Sequence, residues 1–357
     1  MSADLRIGIT IGDYNGIGPE LVVRSLQNPL IFNYCTPVVY ANTFVIKHYC
    51  KLLGINDLDF HIVKDNKIIP NKINLRVCSK DRIEITPGTT SDQSGKFALD
   101  SIDMAIQDVK DGLIQNIVTC PIDKQSAKAA GIGFNGHTEY FAKAFESEVL
   151  MMLVQDNLKV AMATGHTALD EVSNELQAES IINGLKSLEH SLKYDFNISH
   201  PRIAVLGLNP HNGDNGLMGE EEIKLISPSI KTCFDDGMLV YGPFSPDGFF
   251  GSGNSAEFDA VFGMYHDQVL IPFKQNSFED GVNFTAGLPM VRTSPDHGTA
   301  FEIAGKGVAN LSSFVNALYI INKIHRNRIS NYQNNKEFLK YREHRREKFS
   351  IGVPDLN

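Results

Sequence analysis

The chain has 357 residues, enough for two ordinary domains or one large α/β unit, and its 42% hydrophobic and 21% charged content is that of a globular protein. No apolar run approaches the roughly 20 residues of a bilayer span, and the start MSADLRIGIT lacks an export signal's basic region and long apolar stretch, so a cytoplasmic protein is expected. A net charge of −9 argues against a broad nucleic-acid surface, and five cysteines without a CxxC pair fit reduced, mostly buried thiols rather than a zinc-thiolate or disulfide framework.

In chain order, Leu5 to Thr10 reads as a first strand running into GDYNGIGPE (Gly12 to Glu20), a tight turn with Pro19 opening a helix. Its glycines match neither GxGxxG nor a P-loop, so a structural turn near a cleft competes with phosphate binding. Val38 to Ala41 is a strand candidate, and Asn56 to Ile85 is weakly patterned, as in a peripheral hairpin. Gly95 to Val109 has one apolar helical face. Ile117 to Thr119 is a strand closed by Pro121, which places Lys124 on a loop at its C-terminal end, either at a ligand site or as a surface lysine. The stretch Gly133 to Phe145 starts a helix, with Thr138 as cap and His137 beside it, suited to an anion or simply to capping.

Val149 to Val154 and Leu158 to Ala163 form paired strands ending just before His166. Leu176 to Leu192 is helical, Ile203 to Leu208 is a strand ahead of His211, and Ala260 to Met264 is a strand ahead of His266. Asp296 to Gly307 reads as a turn of small residues running into a helix, and Leu311 to Ile324 as a C-terminal helix. A basic segment, Lys340 to Lys348, closes the chain as a solvated helical face. Alternating strands and helices indicate one wound α/β architecture.

Three of the eleven histidines, His166, His211 and His266, each follow an apolar strand. In a parallel sheet such positions converge on one crevice, and three imidazoles beside Asp247 and Asp267 suit a divalent metal with an open coordination position. Lys274, Asn283 and Arg292, with His137 and Thr138, suit a small substrate bearing carboxylate and phosphate groups, although structural salt bridges would explain any one of them. The turn Asp296, His297, Gly298, Thr299 permits close approach of a dinucleotide.

The segments GDYNGIGPE, TCPIDK, GHTEYFA, NPHNGDNGLMGEEE, MYHDQVLIPFK and GVNFTAGLPMVRTSPDHGTAFEIAGKG resemble the 4-hydroxythreonine-4-phosphate dehydrogenase family of vitamin B6 biosynthesis, from about Gly8 to about Ala309. The resemblance implies an isocitrate/isopropylmalate dehydrogenase-like two-domain α/β/α fold with chain crossover. One domain would comprise 1–128 with 287–357, and the other 129–286. It implies a homodimer with its active site at the interface. A divalent metal (Zn2+, Mg2+ or Co2+) would be bound by His166, His211 and His266, one of them from the partner subunit. His137, Thr138, Lys274, Asn283 and Arg292 would contact the phosphorylated substrate, Asp247 would lie near the metal, and Asp296 to Gly307 would lie along NAD.

The implied reaction is oxidation of 4-phosphooxy-L-threonine at C3, then decarboxylation to 3-amino-2-oxopropyl phosphate. Its general base is left open among Asp247, Lys124 and a water molecule. Two departures from the family pattern stand out: GDYNG in place of GDPAG, and TGHTAL in place of a Thr-Thr-His-x-Pro-Leu type sequence. The rival substrates are D-erythronate and D-threonate 4-phosphate. Rivals from other classes are a phosphate acyltransferase, which would need no metal, and a binding protein that has lost catalysis.

Overall fold

The computed structural model describes residues 5–131, 136–277 and 279–347, the side chains of 334–347 excepted. Twelve strands form one sheet: β1 (Arg6–Thr10), β2 (Thr36–Ala41), β3 (Phe60–Ile62), β4 (Ile73–Val77), β5 (Asn116–Thr119), β6 (Leu150–Gln155), β7 (Leu158–Met162), β8 (Arg202–Leu206), β9 (Leu239–Phe244), β10 (Ala260–Gly263), β11 (Val282–Ala286) and β12 (Arg292–Pro295). The helices are α1 (Gly18–Ser25), α2 (Thr43–Leu52), α3 (Asp92–Lys110), α4 (Lys124–Ala129), α5 (His137–Phe145), α6 (Val172–Glu175), α7 (Ala178–Tyr194), α8 (Ser227–Asp235), α9 (Pro246–Gly251), α10 (His266–Ser277) and α11 (Ser312–Glu347). Among the described residues no helix is long and apolar enough to cross a membrane.

The strand order is β3-β4-β2-β1-β5-β12-β11-β6-β7-β10-β8-β9. The first six are mutually parallel, and so are the last four. Between them β11 runs antiparallel to both β12 and β6, and β6 antiparallel to β7. Three reversals therefore separate the two parallel halves, which point in opposite directions. The chain leaves the first half after β5, builds β6 to β11, and returns through β12.

Side-chain alternation gives the sheet two unlike faces. On one face a continuous apolar core runs across both halves, joining Ile9 and Val118 to Met152, Phe284 and Phe262, beneath α7 and α11. On the other face the core breaks in two. Ile117 and Tyr40 pack under α3, while Leu153, Val160 and Val261 pack under α10. Between these clusters lie residues of β12, β11 and β6 on the same face, Arg292 and Ser294, Asn283 and Thr285, and Met151, with Leu153 at the edge of the α10 cluster. Cross-strand register aligns Thr285 with Arg292 and Met151, and Asn283 with Ser294 and Leu153. This gap is the floor of the cleft described below.

Several local expectations need correction. The stretch Asn56 to Ile85 holds two strands, but β3 pairs parallel with β4, and β4 parallel with β2. A hairpin is therefore excluded, since its strands must be antiparallel. Asp296 to Gly307 contains no helix; Ala300, Gly305 and Gly307 take left-handed backbone conformations that break a helical run. Lys124 opens α4 rather than sitting in a loop, capped by the Asp123 carboxylate accepting from the Ser126 N–H at 2.7 Å. Helix α5 starts two residues earlier than a Thr138 cap implies, with Gly136 at the cap and no side-chain capping bond from it. The C-terminal helix extends to Glu347, while the side chains of the basic segment from Lys340 lie outside the described residues, as do Gly133 to Asn135.

Candidate active site

The cleft encloses about 270 Å³ above the floor and is lined from both halves of the sheet. At its base Arg292 is 1% exposed. Its Nε and Nη2 donate to Thr119 Oγ1 at 3.1 and 2.6 Å, and Nη1 donates to Thr285 Oγ1 at 3.1 Å and Asn283 Oδ1 at 3.4 Å. The Phe141 ring lies 5.8 Å from the guanidinium carbon. Every one of these partners is neutral, and among the described residues no carboxylate lies within ion-pair distance of Arg292. Burial pushes the guanidinium down to about 9, partly offset by the more distant Glu139, so it still carries its charge at neutral pH. A buried cation with only neutral hydrogen-bond partners is costly, by several kcal/mol, until an anion arrives.

The other cleft groups surround this cation. The first turn of α5 presents His137 and Thr138, and its cap residue, Gly136, has no side chain to bond the backbone N–H groups there. Burial, then the charges of Arg292 and Lys124, hold the His137 pKa well below the ordinary histidine value, so the ring is neutral at pH 7. Lys274 on α10 lies 3.5 Å from Asp296 Oδ1, whose pKa is raised by burial despite that cation. His297 adds a buried Nε2 with no hydrogen-bond partner among the described residues, and burial is the chief cause of its lowered pKa. Thr299 faces away from this group, accepting the Ile17 N–H through its carbonyl at 3.0 Å and abutting Gly16. The GDYNG departure sits on that wall. Tyr14 is fully buried and meets Phe97 edge-on, with 5.7 Å between ring centroids, while the Asn15 side chain accepts the Thr86 N–H and donates to the Thr89 carbonyl.

Two of the three strand-end histidines come together. His166, after β7, and His266, at the start of α10, have ring centroids 5.7 Å apart and both line the cleft. His266 Nδ1 lies 2.6 Å from Asp267 Oδ1, and His166 Nδ1 lies 3.8 Å from Glu139 Oε1. His211 does not line the cleft. It belongs to a run of five residues, His211 to Asn215, with left-handed backbone angles. The buried Glu222 carboxylate holds the base of this loop, accepting the Leu208 and Asn209 N–H groups at 2.7 Å each. The charge of His211 contributes to lowering the Asp247 pKa, behind the Ser245 hydroxyl and the Gly248 N–H. His211 and Asp247 thus form a second, exposed group away from the His166–His266 pair. Among the described residues no cluster of three or more His, Cys, Asp or Glu side chains is arranged to hold a metal.

Sequence reasoning singled out Arg292 but not Thr119, Thr285 or Glu139, which surround it and His166. Only Glu139 carried a signal, as an acidic residue in the first turn of a helix. Comparison with known proteins now bears on this arrangement. Residues 33–321 match the model of the family described as pyridoxal phosphate biosynthetic protein PdxA. The chain belongs to this family. A 4-hydroxythreonine-4-phosphate dehydrogenase from Bacteroides thetaiotaomicron is 42% identical over 327 residues, covering 91% of this chain and 90% of the relative. The crystal structure of a 4-hydroxythreonine-4-phosphate dehydrogenase from Klebsiella pneumoniae superposes with a TM-score of 0.78 at 33% identity, covering 90% of this chain and 98% of that one. Another relative, from Oceanobacillus iheyensis, is 37% identical over 327 residues, covering 89% of this chain and 97% of the relative, and is named a putative D-threonate 4-phosphate dehydrogenase.

Proposed function

We propose that the cleft binds 4-phosphooxy-L-threonine and oxidises it at C3, with NAD accepting the hydride, before loss of CO2 leaves 3-amino-2-oxopropyl phosphate. The observation that carries this reading is Arg292, a buried cation with neutral partners, set beside the start of α5 and a pair of imidazoles. A phosphorylated hydroxy acid supplies the missing negative charge.

Arg292, with Lys274, Asn283 and the first turn of α5, binds the anionic groups and sets C3 near the imidazole pair. Neutral His137 offers a hydrogen bond without adding charge. Asp296, His297 and Gly298 form the wall for NAD, backed by Thr299 against Gly16, and the His297 Nε2 is a polar atom that such a ligand would satisfy. The donor chemistry of the paired imidazoles suits a divalent cation (Zn2+, Mg2+ or Co2+), held by His166 and His266 of one chain and His211 of a partner, which would polarise the C3 oxygen. Lys124 is the cleft-lining candidate to move the C3 hydroxyl proton; Asp247 would act there only from a partner subunit. Loss of CO2 breaks the C1–C2 bond, and the electron pair left on C2 takes up a proton.

The reading includes a homodimer. The exposed apolar side chains Leu217, Met218 and Ile223 flank the His211 loop and support a subunit contact that would carry this histidine into the neighbouring cleft. Segments 1–128 with 287–357, and 129–286, would be the two units flanking the cleft. The D-threonate 4-phosphate name of one relative keeps the sugar acids as the second reading.

The deciding test is NADH formation with 4-phosphooxy-L-threonine beside D-erythronate and D-threonate 4-phosphate, before and after exhaustive chelation. Turnover of the threonine derivative that is lost on chelation is expected. Turnover of a sugar acid alone would replace the substrate assignment, and activity indifferent to chelation would remove the metal.

A further inference from the structure

We infer that Glu139 is a positioning residue for His166, a role that rests on reading the cleft as a metal and phosphate site. Glu139 is the third residue of α5 and lines the same cleft as His166. Its carboxylate folds back over the helix start, so close that a side chain at Gly136 would meet Glu139 Oε2 at 2.6 Å. There the aligned N–H groups of the first turn stabilise its negative charge. The same carboxylate faces His166, with Oε1 3.8 Å from Nδ1, within ion-pair distance.

His166 needs such a partner. The backbone before it is Gly165, with open space where a side chain would be, and the ring is half exposed. Nothing in the local chain therefore selects one ring orientation. His266, the other member of the pair, has its Nδ1 held by Asp267 at 2.6 Å. Both rings therefore have Nδ1 toward a carboxylate, His266 in a 2.6 Å hydrogen bond and His166 at a 3.8 Å ion-pair distance, and Nε2 is left as the atom available for a ligand. A histidine that binds metal through one nitrogen is commonly oriented by a carboxylate on the other, and loss of that carboxylate weakens metal binding by about 10–100-fold. The partner of His266 follows it directly in the chain, whereas the partner of His166 comes from a helix that also lines the anion site.

The experiment reads ring tautomers and metal affinity rather than turnover. In metal-free protein labelled with 15N-histidine, long-range proton–nitrogen correlations should show His166 as the Nδ1–H tautomer. Glu139→Ala should shift His166 toward Nε2–H, leave His266 unchanged, and weaken Co2+ binding, read by calorimetry, by about 10–100-fold. Glu139→Gln keeps an acceptor oxygen, so it should retain the wild-type tautomer and most of the affinity. An unchanged tautomer and affinity in Glu139→Ala overturns the proposal, as does a shift in His266 equal to that in His166, which would indicate general loosening. Wild-type protein that takes up no Co2+ sinks the metal reading itself, and the proposal with it, before any variant is made.

Discussion

The cleft floor and the His211 loop solve opposite problems. On the floor, Arg292 is buried in regular strands, hydrogen-bonded on three nitrogens, and lacks only a counter-charge. In the loop, His211 is exposed on left-handed backbone that costs roughly 1–2 kcal/mol per non-glycine residue, and Glu222 beneath it is buried to hold that shape. The floor has its surroundings and waits for a ligand. The loop holds a potential ligand-binding side chain, but among the described residues no site surrounds it in its own chain. Strain maintained at an exposed position favours a role outside the chain.

The largest effect should come from the loop. His211→Ala is expected to abolish turnover, as is His166→Ala. If His211 serves a partner's cleft, co-refolding equal amounts of the two variants should restore about a quarter of wild-type activity, because half the dimers would be mixed and each would contain one intact site. No recovery would mean that one chain supplies both His211 and His166 to its own site and would erase the contrast between the two regions.

Next is the floor. Arg292→Met should lower kcat/KM by roughly 10³-fold by removing charge-assisted contacts to the substrate. Thermal unfolding of the ligand-free protein should nevertheless be unchanged or shifted upward, since an unpaired buried cation is replaced by an apolar side chain of similar length. A large fall in the melting temperature would show that the guanidinium is there for structure rather than for an anion.

The smallest effect concerns pH. His137 has a folded pKa below its unfolded value, so its contribution to stability is complete above the unfolded value near 6.5 and is lost as pH falls from there toward the folded value. Melting temperature should therefore drop between about pH 7 and pH 5, and His137→Asn should flatten that slope. Arg292→Met should flatten it partly, since Arg292 is the second cause of the shift after burial. An unaltered slope in His137→Asn would assign the acid sensitivity to other groups.

Much of this was legible in the chain itself. Apolar runs such as Ala260 to Met264 marked strands because burial on both faces needs continuous apolar sequence, and the position of a histidine just past each run followed from that. Family-specific stretches such as MYHDQVLIPFK marked the site. Other features were beyond local pattern. Thr119 and Arg292 are 173 residues apart and meet only because β5 and β12 are sheet neighbours. The irregular path of Asp296 to Gly307 reflects left-handed turns that composition does not separate from a helix start.

What the sequence determined, then, was which elements form and which side chains stand at their ends, because periodicity and Gly/Pro punctuation act over a few residues. Tertiary structure alone decided which of those ends meet. Strand order and the three reversals between β12 and β7 bring His166 to His266 and to Glu139, set Arg292 among hydroxyls instead of carboxylates, and leave His211 outside. Those are long-range pairings, and their energies depend on neighbours that no local stretch of sequence contains.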